Sequence, residues 1–209
     1  MLLAFSGLKG SGKDTAAAVL TGEYGFTKIS FADPIREMAL IINPVIPIVE
    51  KFTNPDQSFS TCTRLTRLKE LIEEYGWDYC KRQIPEVRRT LQVIGTEAGR
   101  DFFNEDIWIE LMDYKYKDLA WDDTRYVITD CRFSNEVEFI RSKGGTIIWI
   151  ERPGLVSDGH ASESTDTRDL ASIIMHNDES VEELQEAVRL MLHIRGVGPI
   201  ERAVAEQTN

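Results

Sequence analysis

The chain has 209 residues, of which 42% are hydrophobic and 28% charged, a composition that predicts one globular domain or one domain with an inserted lobe. The formal net charge of −11 argues against a broad nucleic-acid-binding surface, whereas small phosphorylated ligands respond to local charge and are not excluded. The three cysteines are widely spaced and no apolar run has the length of a membrane span, so we expect free thiols, a cytoplasmic location and no membrane partner.

The first segments of the chain alternate between strand and helix patterns. "MLLAF" is too short for a signal peptide and lacks its basic flank, while "LLAFSG" predicts a buried first strand. "KDTAAAVLTGEYG" predicts a helix, "FTKISFA" a second strand, and "DPIREMALII" a second helix with Asp33 as N-cap and Pro34 at the first helical position. This order indicates an α/β unit over a parallel sheet.

The middle of the chain interrupts this alternation. "NPVIPIVEKFTNPDQSF" contains three prolines and two Asn-Pro pairs, so we expect irregular structure there. Helical patterns follow at about 63–75, 85–99 and 104–118, and no strand is predicted before "RYVITD" at 125–130. Because so long a segment is not a simple loop, we predict that residues 43–123 form a mostly helical insertion.

The alternation resumes in the last third of the chain. "RYVITD" predicts the third strand, "SNEVEFIRSKGG" a helix capped by Ser134, "TIIWIER" the fourth strand, "SIIMHN" the fifth, and "ESVEELQEAVRLMLHIRG" a last amphipathic helix. We therefore predict a core of residues 1–42 and 124–195. The small, polar segment at 151–169 is a candidate lid within that core, and we expect a poorly ordered tail at 196–209.

A glycine-rich run, "SGLKGSGKDT", follows the first predicted strand. It nearly fits the phosphate-binding pattern G-x-x-x-x-G-K-[ST], with Gly7, Gly12 and Lys13 in place. Asp14 occupies the position after the lysine, and the hydroxyl of Thr15 comes one residue later. Small residues let backbone N–H groups converge on an anion, and a following helix start favours negative charge there. The run therefore predicts a phosphate loop; the alternative is a glycine-rich turn with an incidental lysine.

Two acidic residues accompany this loop. Asp14 would lie in the first turn of a helix, where the macrodipole favours a carboxylate, and it could instead hold a magnesium-bound water or orient an acceptor phosphate. Asp130 ends the apolar run "YVITD", and an acid at the carboxyl end of a strand beside a phosphate loop is placed to organise magnesium. An ordinary turn aspartate is the alternative for Asp130. Arg132, two residues later, would face the same crevice.

Four segments together resemble the bacteriophage-type deoxynucleoside monophosphate kinases: "GLKGSGKDT", "FADPIRE", "LQVIGTEAGRDFF" with Trp108 downstream, and "TDCRFSNE". The later "ERPG…HASES…IIMHND" also looks like that family's pattern. The resemblance implies an α/β P-loop kinase fold, with a five-stranded parallel sheet of strand order 2-3-1-4-5 flanked by helices. It implies transfer of the γ-phosphoryl group of ATP to a (deoxy)nucleoside 5′-monophosphate, for deoxynucleotide supply in DNA synthesis.

The resemblance also implies a set of site residues. Thr15 and Asp130 would hold Mg²⁺, partly through water, and Lys13, Asp14, Arg132 and Arg152 would take part in catalysis. ATP would be bound by Gly10, Ser11, Gly12, Lys13, Asp14, Thr15 and Asn177. The acceptor would be bound by Asp33, Arg36, Gln92, Thr96, Arg100, Arg132 and Glu163. Gln92 offers both a donor and an acceptor to a base edge.

Several alternatives stay open at this point. Arginine-rich acceptor sites suit any phosphorylated acceptor, so a kinase resembling phosphomevalonate kinase or dephospho-coenzyme A kinase is a rival interpretation. A P-loop ATPase without an acceptor is a more distant one. Apolar helix faces are compatible with a homodimer but do not require it. The residues do not specify which base or which sugar the acceptor carries. If a phage encodes the enzyme, we expect it in the cytoplasm of the host.

Overall fold

The computed structural model describes residues 1–53, 58–117, 124–156 and 167–200. The chain divides into two compact units. Unit 1 comprises Met1–Phe31 and Asp113–Asn209, and unit 2 comprises Ala32–Met112. Within the described ranges, no helix combines the length and apolarity needed to cross a bilayer.

Strands and helices alternate in the first and last parts of the chain, and a hairpin and several helices lie between these parts. In chain order the elements are β1 (Leu2–Ser6), α1 (Lys13–Glu23), β2 (Thr27–Ile29), α2 (Asp33–Ile42), β3 (Val45–Thr53), β4 (Phe59–Arg67), α3 (Leu68–Gln83), α4 (Pro85–Gln92), a π-helical segment (Val93–Asp101), α5 (Ile107–Lys115), β5 (Tyr126–Ile128), α6 (Ser134–Ser142), β6 (Thr146–Glu151), β7 (Ile173–His176) and α7 (Val181–Ile194).

Unit 1 is built on a parallel five-stranded sheet with the order β2-β5-β1-β6-β7. Counting only these five strands in chain order, the arrangement is 2-3-1-4-5, the order implied by the sequence resemblance; the two further strands β3 and β4 only shift the labels. Every residue of β1 is buried, and since its side chains alternate between the two faces, both faces of the sheet are covered. The prediction of a parallel sheet flanked by helices is confirmed.

The core of unit 1 lies between the sheet and the helices α1 and α7. Apolar side chains recur at helical spacing on both helices and at alternate positions on the strands, so each element presents one apolar face. The cluster includes Leu3, Phe5, Ala17, Leu20, Val127, Ile148, Ile150, Leu184, Val188 and Leu192.

The end of the chain after α7 is packed over its described part, contrary to the expected poor order from residue 196. Val197 is 9% exposed and belongs to the same core cluster. The N–H of Ile200 donates to the carbonyl of Glu23 at 2.8 Å. Residues 201–209 lie outside the described residues.

Unit 2 holds α2, the hairpin β3–β4, α3, α4, the π-helical segment and the start of α5. The helix α2 belongs to this unit and not to the core, which differs from the boundary expected at residue 43. Its own apolar core is formed by Ala39, Ile46, Leu68, Leu71, Cys80, Ile84, Val87, Ile94 and Trp108.

The hairpin β3–β4 corrects the prediction of irregular structure at the start of the insertion, whereas the described residues from Leu68 to Lys115 are mostly helical, as predicted. The two strands pair antiparallel, with Val45 opposite Arg67 and Val49 opposite Thr63. Their β-branched side chains favour strand, and a proline such as Pro47 is tolerated because a two-stranded sheet consists of edge strands. The helix predicted from residue 63 therefore begins only at Leu68.

Two predicted helix caps are each displaced by one residue. Asp33 lies in the first turn of α2 and the N-cap is Ala32, so Asp33 is not the cap. Ser134 is the first residue of α6 and the preceding Phe133 is the N-cap. At α7 a side-chain cap is present: Ser180 accepts from the N–H of Glu183 at 3.2 Å.

Candidate functional site

The glycine loop, residues 6–15 from the end of β1 to the first turn of α1, excludes side chains at two of its positions. Gly7 (φ 134°) and Gly12 (φ 107°) both have positive φ. A Cβ on Gly7 would lie 2.5 Å from the carbonyl oxygen of Ile150, and a Cβ on Gly12 would lie 2.7 Å from Nδ2 of Asn177. The path of this loop past β6 and the end of β7 therefore requires glycine at both positions.

Lys13 folds back over the glycine loop. Its Nζ donates to the carbonyl oxygens of Gly7 and Leu8, each at 2.7 Å, and lies 3.4 Å from Oγ of Ser11. Ser11 is fully buried, and its carbonyl accepts from Nδ2 of Asn177, directly after β7, at 2.7 Å. The lysine ammonium and the N-terminus of α1 together bring positive charge to this loop, an arrangement that favours an anionic ligand.

Asp14 forms an ion pair with a lysine from a neighbouring strand. Its side chain is 84% exposed, and its Oδ1 accepts from Nζ of Lys28 on β2 at 2.7 Å. Loss of hydration around the carboxyl acts to raise its pKa, but the contacts with Lys28, Lys13 and the hydroxyl of Thr129 outweigh it and hold the pKa of Asp14 below its ordinary value. Asp14 is therefore an ionised carboxylate at neutral pH.

Asp130 lies at the same edge of the sheet as the glycine loop, because it follows β5 and β5 pairs in parallel with β1. Its Oδ2 accepts from the Ser30 hydroxyl at 2.5 Å, and its Oδ1 accepts from the N–H of Phe31 at 3.2 Å. Both donors lie just after β2, the other neighbour of β5. The carboxylate therefore joins the ends of two adjacent strands.

Thr15 and Asp130, predicted to hold magnesium in part through water, both carry oxygen atoms, the ligand type that Mg²⁺ prefers. Thr15 lies in the first turn of α1, at the end of the glycine loop. Among the residues that the structure describes, no three His, Cys, Asp or Glu side chains form a metal-binding group. A magnesium ion bound to a nucleotide takes most of its ligands from phosphate and water, so a cluster of protein carboxylates is not required.

The turn that carries Arg132 is held by a buried carboxylate. Glu136 is 2% exposed and accepts from the backbone N–H groups of Arg132 at 2.7 Å and Phe133 at 3.1 Å. Cys131 lies in the same turn; burial raises the pKa of its thiol well above the ordinary value. Its carbonyl accepts from Oγ of Ser6 at 2.8 Å. Hydrogen bonds to β1 and α6 thus fix the position of the turn.

Arg152 contacts the glycine loop from the end of β6. Its Nη1 donates to the carbonyl of Gly10 at 3.1 Å. The preceding residue, Glu151, accepts from Nε of Arg168 at 2.7 Å, and this hydrogen bond lowers the pKa of Glu151 below its ordinary value. At the start of the predicted lid, 151–169, Arg152 therefore contacts the glycine loop, and near its end Arg168 contacts the last residue of β6.

The second anchor of this segment is Thr167. It is 1% exposed, and its hydroxyl shares a hydrogen bond with the hydroxyl of Ser6, the last residue of β1. Glu163, predicted to bind the acceptor, lies outside the described residues.

In unit 2, two of the predicted acceptor-binding residues form an ion pair on α2. Nη1 of Arg36 lies 3.3 Å from Oδ1 of Asp33, and both side chains are partly exposed. Nε of Arg36 is buried without a hydrogen-bond partner. A buried donor of this kind is costly, so the guanidinium is suited to an additional acceptor such as a phosphate oxygen.

The other three predicted acceptor-binding residues of unit 2 lie along one continuous helical stretch. Gln92 ends α4, and Thr96 and Arg100 lie in the π-helical segment that continues it. All three are partly exposed. Nη1 of Arg100 donates to the carbonyl of Glu105 at 2.7 Å. Interruptions of the α-helical hydrogen-bond pattern of this kind are frequent at functional sites.

The two glycines of this π-helical segment serve packing. Nε1 of Trp108 donates to the carbonyl of Gly95 at 2.6 Å, and a Cβ on Gly95 would lie 3.2 Å from Cδ1 of Ile35. A Cβ on Gly99 would lie 2.3 Å from the Trp108 ring. Both glycines therefore allow close contact of this segment with α2 and α5.

The sequence patterns did not single out Lys28, Ser30, Thr129 or Thr167. Each contacts a predicted site residue or the strand before the glycine loop. Lys28 lies 14 positions from its partner Asp14, Ser30 lies 100 positions from Asp130, and Thr167 lies 161 positions from Ser6. Only Thr129 could have been found from the sequence, since it directly precedes Asp130. The contacts of the other three residues depend on which strands are neighbours in the sheet.

The chain is similar to a group of viral proteins along most of its length. A family model described as deoxynucleotide monophosphate kinase matches residues 51–188. A relative from Acanthamoeba polyphaga mimivirus is 31% identical, covering 88% of this chain and 91% of its own. The deoxynucleotide monophosphate kinase of Enterobacteria phage T4 is 27% identical, covering 92% and 99%, and the deoxynucleoside-5′-monophosphate kinase of Escherichia phage T5 is 29% identical, covering 78% and 84%.

Solved structures of two kinases match most of this chain at low identity and with TM-scores below 0.5. Shikimate kinase from Aquifex aeolicus matches with a TM-score of 0.44 and 12% identity over 95% of this chain and 99% of its own. Dephospho-CoA kinase from Campylobacter jejuni matches with a TM-score of 0.46 and 12% identity over 92% and 95%.

Proposed function

This chain belongs to the deoxynucleotide monophosphate kinase family, and from that premise we propose that it transfers the γ-phosphoryl group of ATP to a (deoxy)nucleoside 5′-monophosphate. The product is the diphosphate, a precursor for DNA synthesis. The observation that carries the proposal is the glycine loop, whose Lys13 ammonium and helix N-terminus suit a polyphosphate, in a chain of this family. The reaction uses cytoplasmic nucleotides, those of the host where a phage encodes the enzyme.

For the donor, we assign ATP to the glycine loop: Gly10, Ser11, Gly12, Lys13 and Thr15, with Asp14 contributing its backbone N–H and Asn177 supporting the loop from the end of β7. The ammonium of Lys13 now contacts two loop carbonyls at 2.7 Å. Exchanging these neutral acceptors for phosphate oxygens would give stronger, charge-assisted hydrogen bonds. Asn177 fixes the loop through Ser11 and does not itself need to touch adenine.

For the cofactor, we propose that Thr15 and Asp130 hold Mg²⁺, with water completing the contact to Asp130. When bound, the ion would neutralise charge on the phosphates during transfer. The hydrogen bonds from Ser30 and Phe31 keep the Asp130 carboxylate in one orientation. Asp14 is less suited to a direct contact because Lys28 already pairs with it.

For the acceptor, we propose roles for Asp33, Arg36, Gln92, Thr96 and Arg100 of unit 2. The buried, unpartnered Nε of Arg36 is the best-supported phosphate contact, and Gln92 has both a donor and an acceptor for a base edge. By the family resemblance, Arg132 and Glu163 are also proposed to bind the acceptor.

For the transfer itself, the protein supplies alignment and positive charge, because phosphoryl transfer needs little covalent chemistry from side chains. Lys13, Arg132 and Arg152 are the cationic groups proposed to stabilise the moving phosphoryl group. Arg152 contacts the carbonyl of Gly10, so it is already held at the donor loop. Its closure over the phosphates would also exclude water, which otherwise hydrolyses ATP.

The test is an ADP-release assay with ATP, Mg²⁺ and a panel of ribo- and deoxyribonucleoside monophosphates, with mevalonate 5-phosphate and dephospho-coenzyme A as rival acceptors. We expect ADP release only with nucleoside monophosphates. Turnover that is indifferent to any acceptor would indicate an ATPase, and a rate with a rival acceptor alone would replace the proposed substrate class. Sedimentation of the same sample tests the homodimer that remains a prediction.

Two variants test the site assignment. Lys13→Ala should abolish turnover while circular dichroism shows a retained fold; Lys143→Ala, which removes a partly exposed lysine paired with Asp113 at 2.9 Å, is the control. Arg36→Met should raise the acceptor KM by about 10- to 100-fold, the worth of one charge-assisted hydrogen bond. Arg89→Met removes an arginine that is 75% exposed and should leave KM unchanged. Near-wild-type kinetics of Lys13→Ala would remove the phosphate-loop assignment.

A further inference from the structure

Three side chains from three elements of unit 1 meet at the first turn of α1, and we call them the Asp14 cluster: Asp14, Lys28 and Thr129. Nζ of Lys28 lies 2.7 Å from Oδ1 of Asp14, with 47% of the lysine side chain and 84% of the aspartate side chain exposed. Thr129, 8% exposed, lies between β5 and Asp130. The cluster thus links α1 to β2 and to the end of β5, next to the proposed metal ligand Asp130.

General features of helices and sheets explain each charge separately but not the pair. A carboxylate in the first turn of a helix is favoured by the macrodipole. A lysine on β2, an edge strand of the sheet, is a common protection against pairing with another chain. An exposed ion pair adds little to stability. None of these accounts explains why Lys28 of β2 pairs with Asp14 of α1, the residue that directly follows Lys13.

The position of Asp14 creates an electrostatic problem for the proposed donor site. A triphosphate carries several negative charges, and the carboxylate of Asp14 directly follows the lysine that should attract them. Like charges at short range repel even in water, although salt reduces the effect. The ammonium of Lys28 opposes this repulsion, since it sits at hydrogen-bond distance from Asp14.

We propose that Lys28 is a positioning residue for donor-nucleotide binding: it holds the Asp14 carboxylate at the first turn of α1 and offsets its charge, so that the glycine loop stays attractive to a triphosphate. This rests on the proposed function, which assigns the donor to the loop. With Lys28 present, Lys13, Asp14 and Lys28 together carry a positive net charge; without it, that net charge falls to zero.

The proposal predicts an order of ATP affinities among three variants. Lys28→Met leaves Asp14 uncompensated and should weaken ATP binding by about three- to tenfold, the size of one charge–charge contact near the surface. Asp14→Asn should bind ATP at least as tightly as the wild type. The double variant restores the original net charge and should return to within about twofold of the wild type. Lys28→Arg keeps the cation and should behave like the wild type.

The experiment is calorimetric titration of each full-length variant with ATP, without acceptor, in EDTA and again with excess Mg²⁺. The loss caused by Lys28→Met should be larger in EDTA, where free ATP carries more charge, and smaller at high salt. Lys143→Met is the matched control, because it breaks a second Lys–Asp pair of unit 1, with Asp113 at 2.9 Å. It should leave ATP affinity unchanged.

Two results would overturn the proposal. Unchanged ATP affinity in Lys28→Met would show that the lysine serves only the edge of the sheet. An equal loss in Lys28→Met and in the double variant would show that the lysine acts without Asp14. Lys13→Ala separates this proposal from the proposed function. If Lys13→Ala also binds ATP normally, the donor assignment itself fails. If Lys13→Ala loses ATP binding while Lys28→Met keeps the wild-type affinity, only the role of Lys28 is refuted.

Discussion

Replacing Gly99 by alanine should strongly destabilise unit 2, because the new methyl group has no room. Its Cβ would lie 2.3 Å from Cζ2 and 2.6 Å from both Cε2 and Nε1 of Trp108. Since carbon atoms pack at about 3.5–4.0 Å, the ring must move by about 1 Å. Trp108 is 2% exposed and its Nε1 donates to the carbonyl of Gly95 at 2.6 Å, so the ring cannot shift freely.

The cost follows from these contacts. Overpacking a core costs about 1–3 kcal/mol, and losing the buried indole hydrogen bond adds about 1–3 kcal/mol, so we expect a loss of about 3 kcal/mol. For a chain of this size that corresponds to a fall in Tm of about 6–12 °C. Thermal and urea unfolding, followed by tryptophan fluorescence and near-ultraviolet circular dichroism, measure the loss.

Two comparisons make this prediction specific. Gly22→Ala, inside α1 with no atom within 4 Å of the added Cβ, should stabilise the protein by up to about 1 kcal/mol. Trp108→Phe removes the atoms that clash, so adding Gly99→Ala to it should cost less than in the wild type. A Tm for Gly99→Ala within about 2 °C of the wild type would refute the packing argument.

Three further variants test other contacts. Glu136→Ala removes the acceptor of two backbone N–H groups at the start of α6. It should lower the free energy of unfolding in urea by about 2–4 kcal/mol and raise the acceptor KM. Glu136→Gln should lower the free energy of unfolding less, and equal losses in the two variants would contradict this role of the carboxylate. The hydrogen bond from Arg189 lowers the pKa of Glu23 below 4.5, so this pair stabilises the folded state above that pH and its contribution is lost as the pH falls through the lower folded value. The stability gap between wild type and Glu23→Gln should therefore narrow in acid, and a gap independent of pH would count against it. Gly12→Ala should reduce turnover by about 100-fold through displacement of the glycine loop, and a variant with normal kcat and KM would show that the loop tolerates a Cβ.

The parallel sheet and the glycine loop were predictable from the sequence because local patterns encode them. Short apolar runs end in glycine or aspartate, helices follow with alanine-rich or amphipathic spacing, and Lys13 occupies a recognisable position in the loop. The family resemblance rested on the same kind of evidence, since its motifs are contiguous in the chain. Membership of the family is confirmed by the match over residues 51–188.

Only the tertiary structure decided features that depend on which strands become neighbours. The stretches at 45–53 and 59–67 form paired strands, although Pro47 lies in the first, because each strand finds a partner that contributes β-branched residues. Gly95 and Gly99 pack against Ile35 and Trp108, which no local pattern reveals. Lys28 reaches Asp14, and Ser30 reaches Asp130 from 100 positions away, because β2 lies beside β5. The sequence by itself determined the glycine loop and the position of Lys13 within it, whereas strand order determined which side chains contact the predicted site residues.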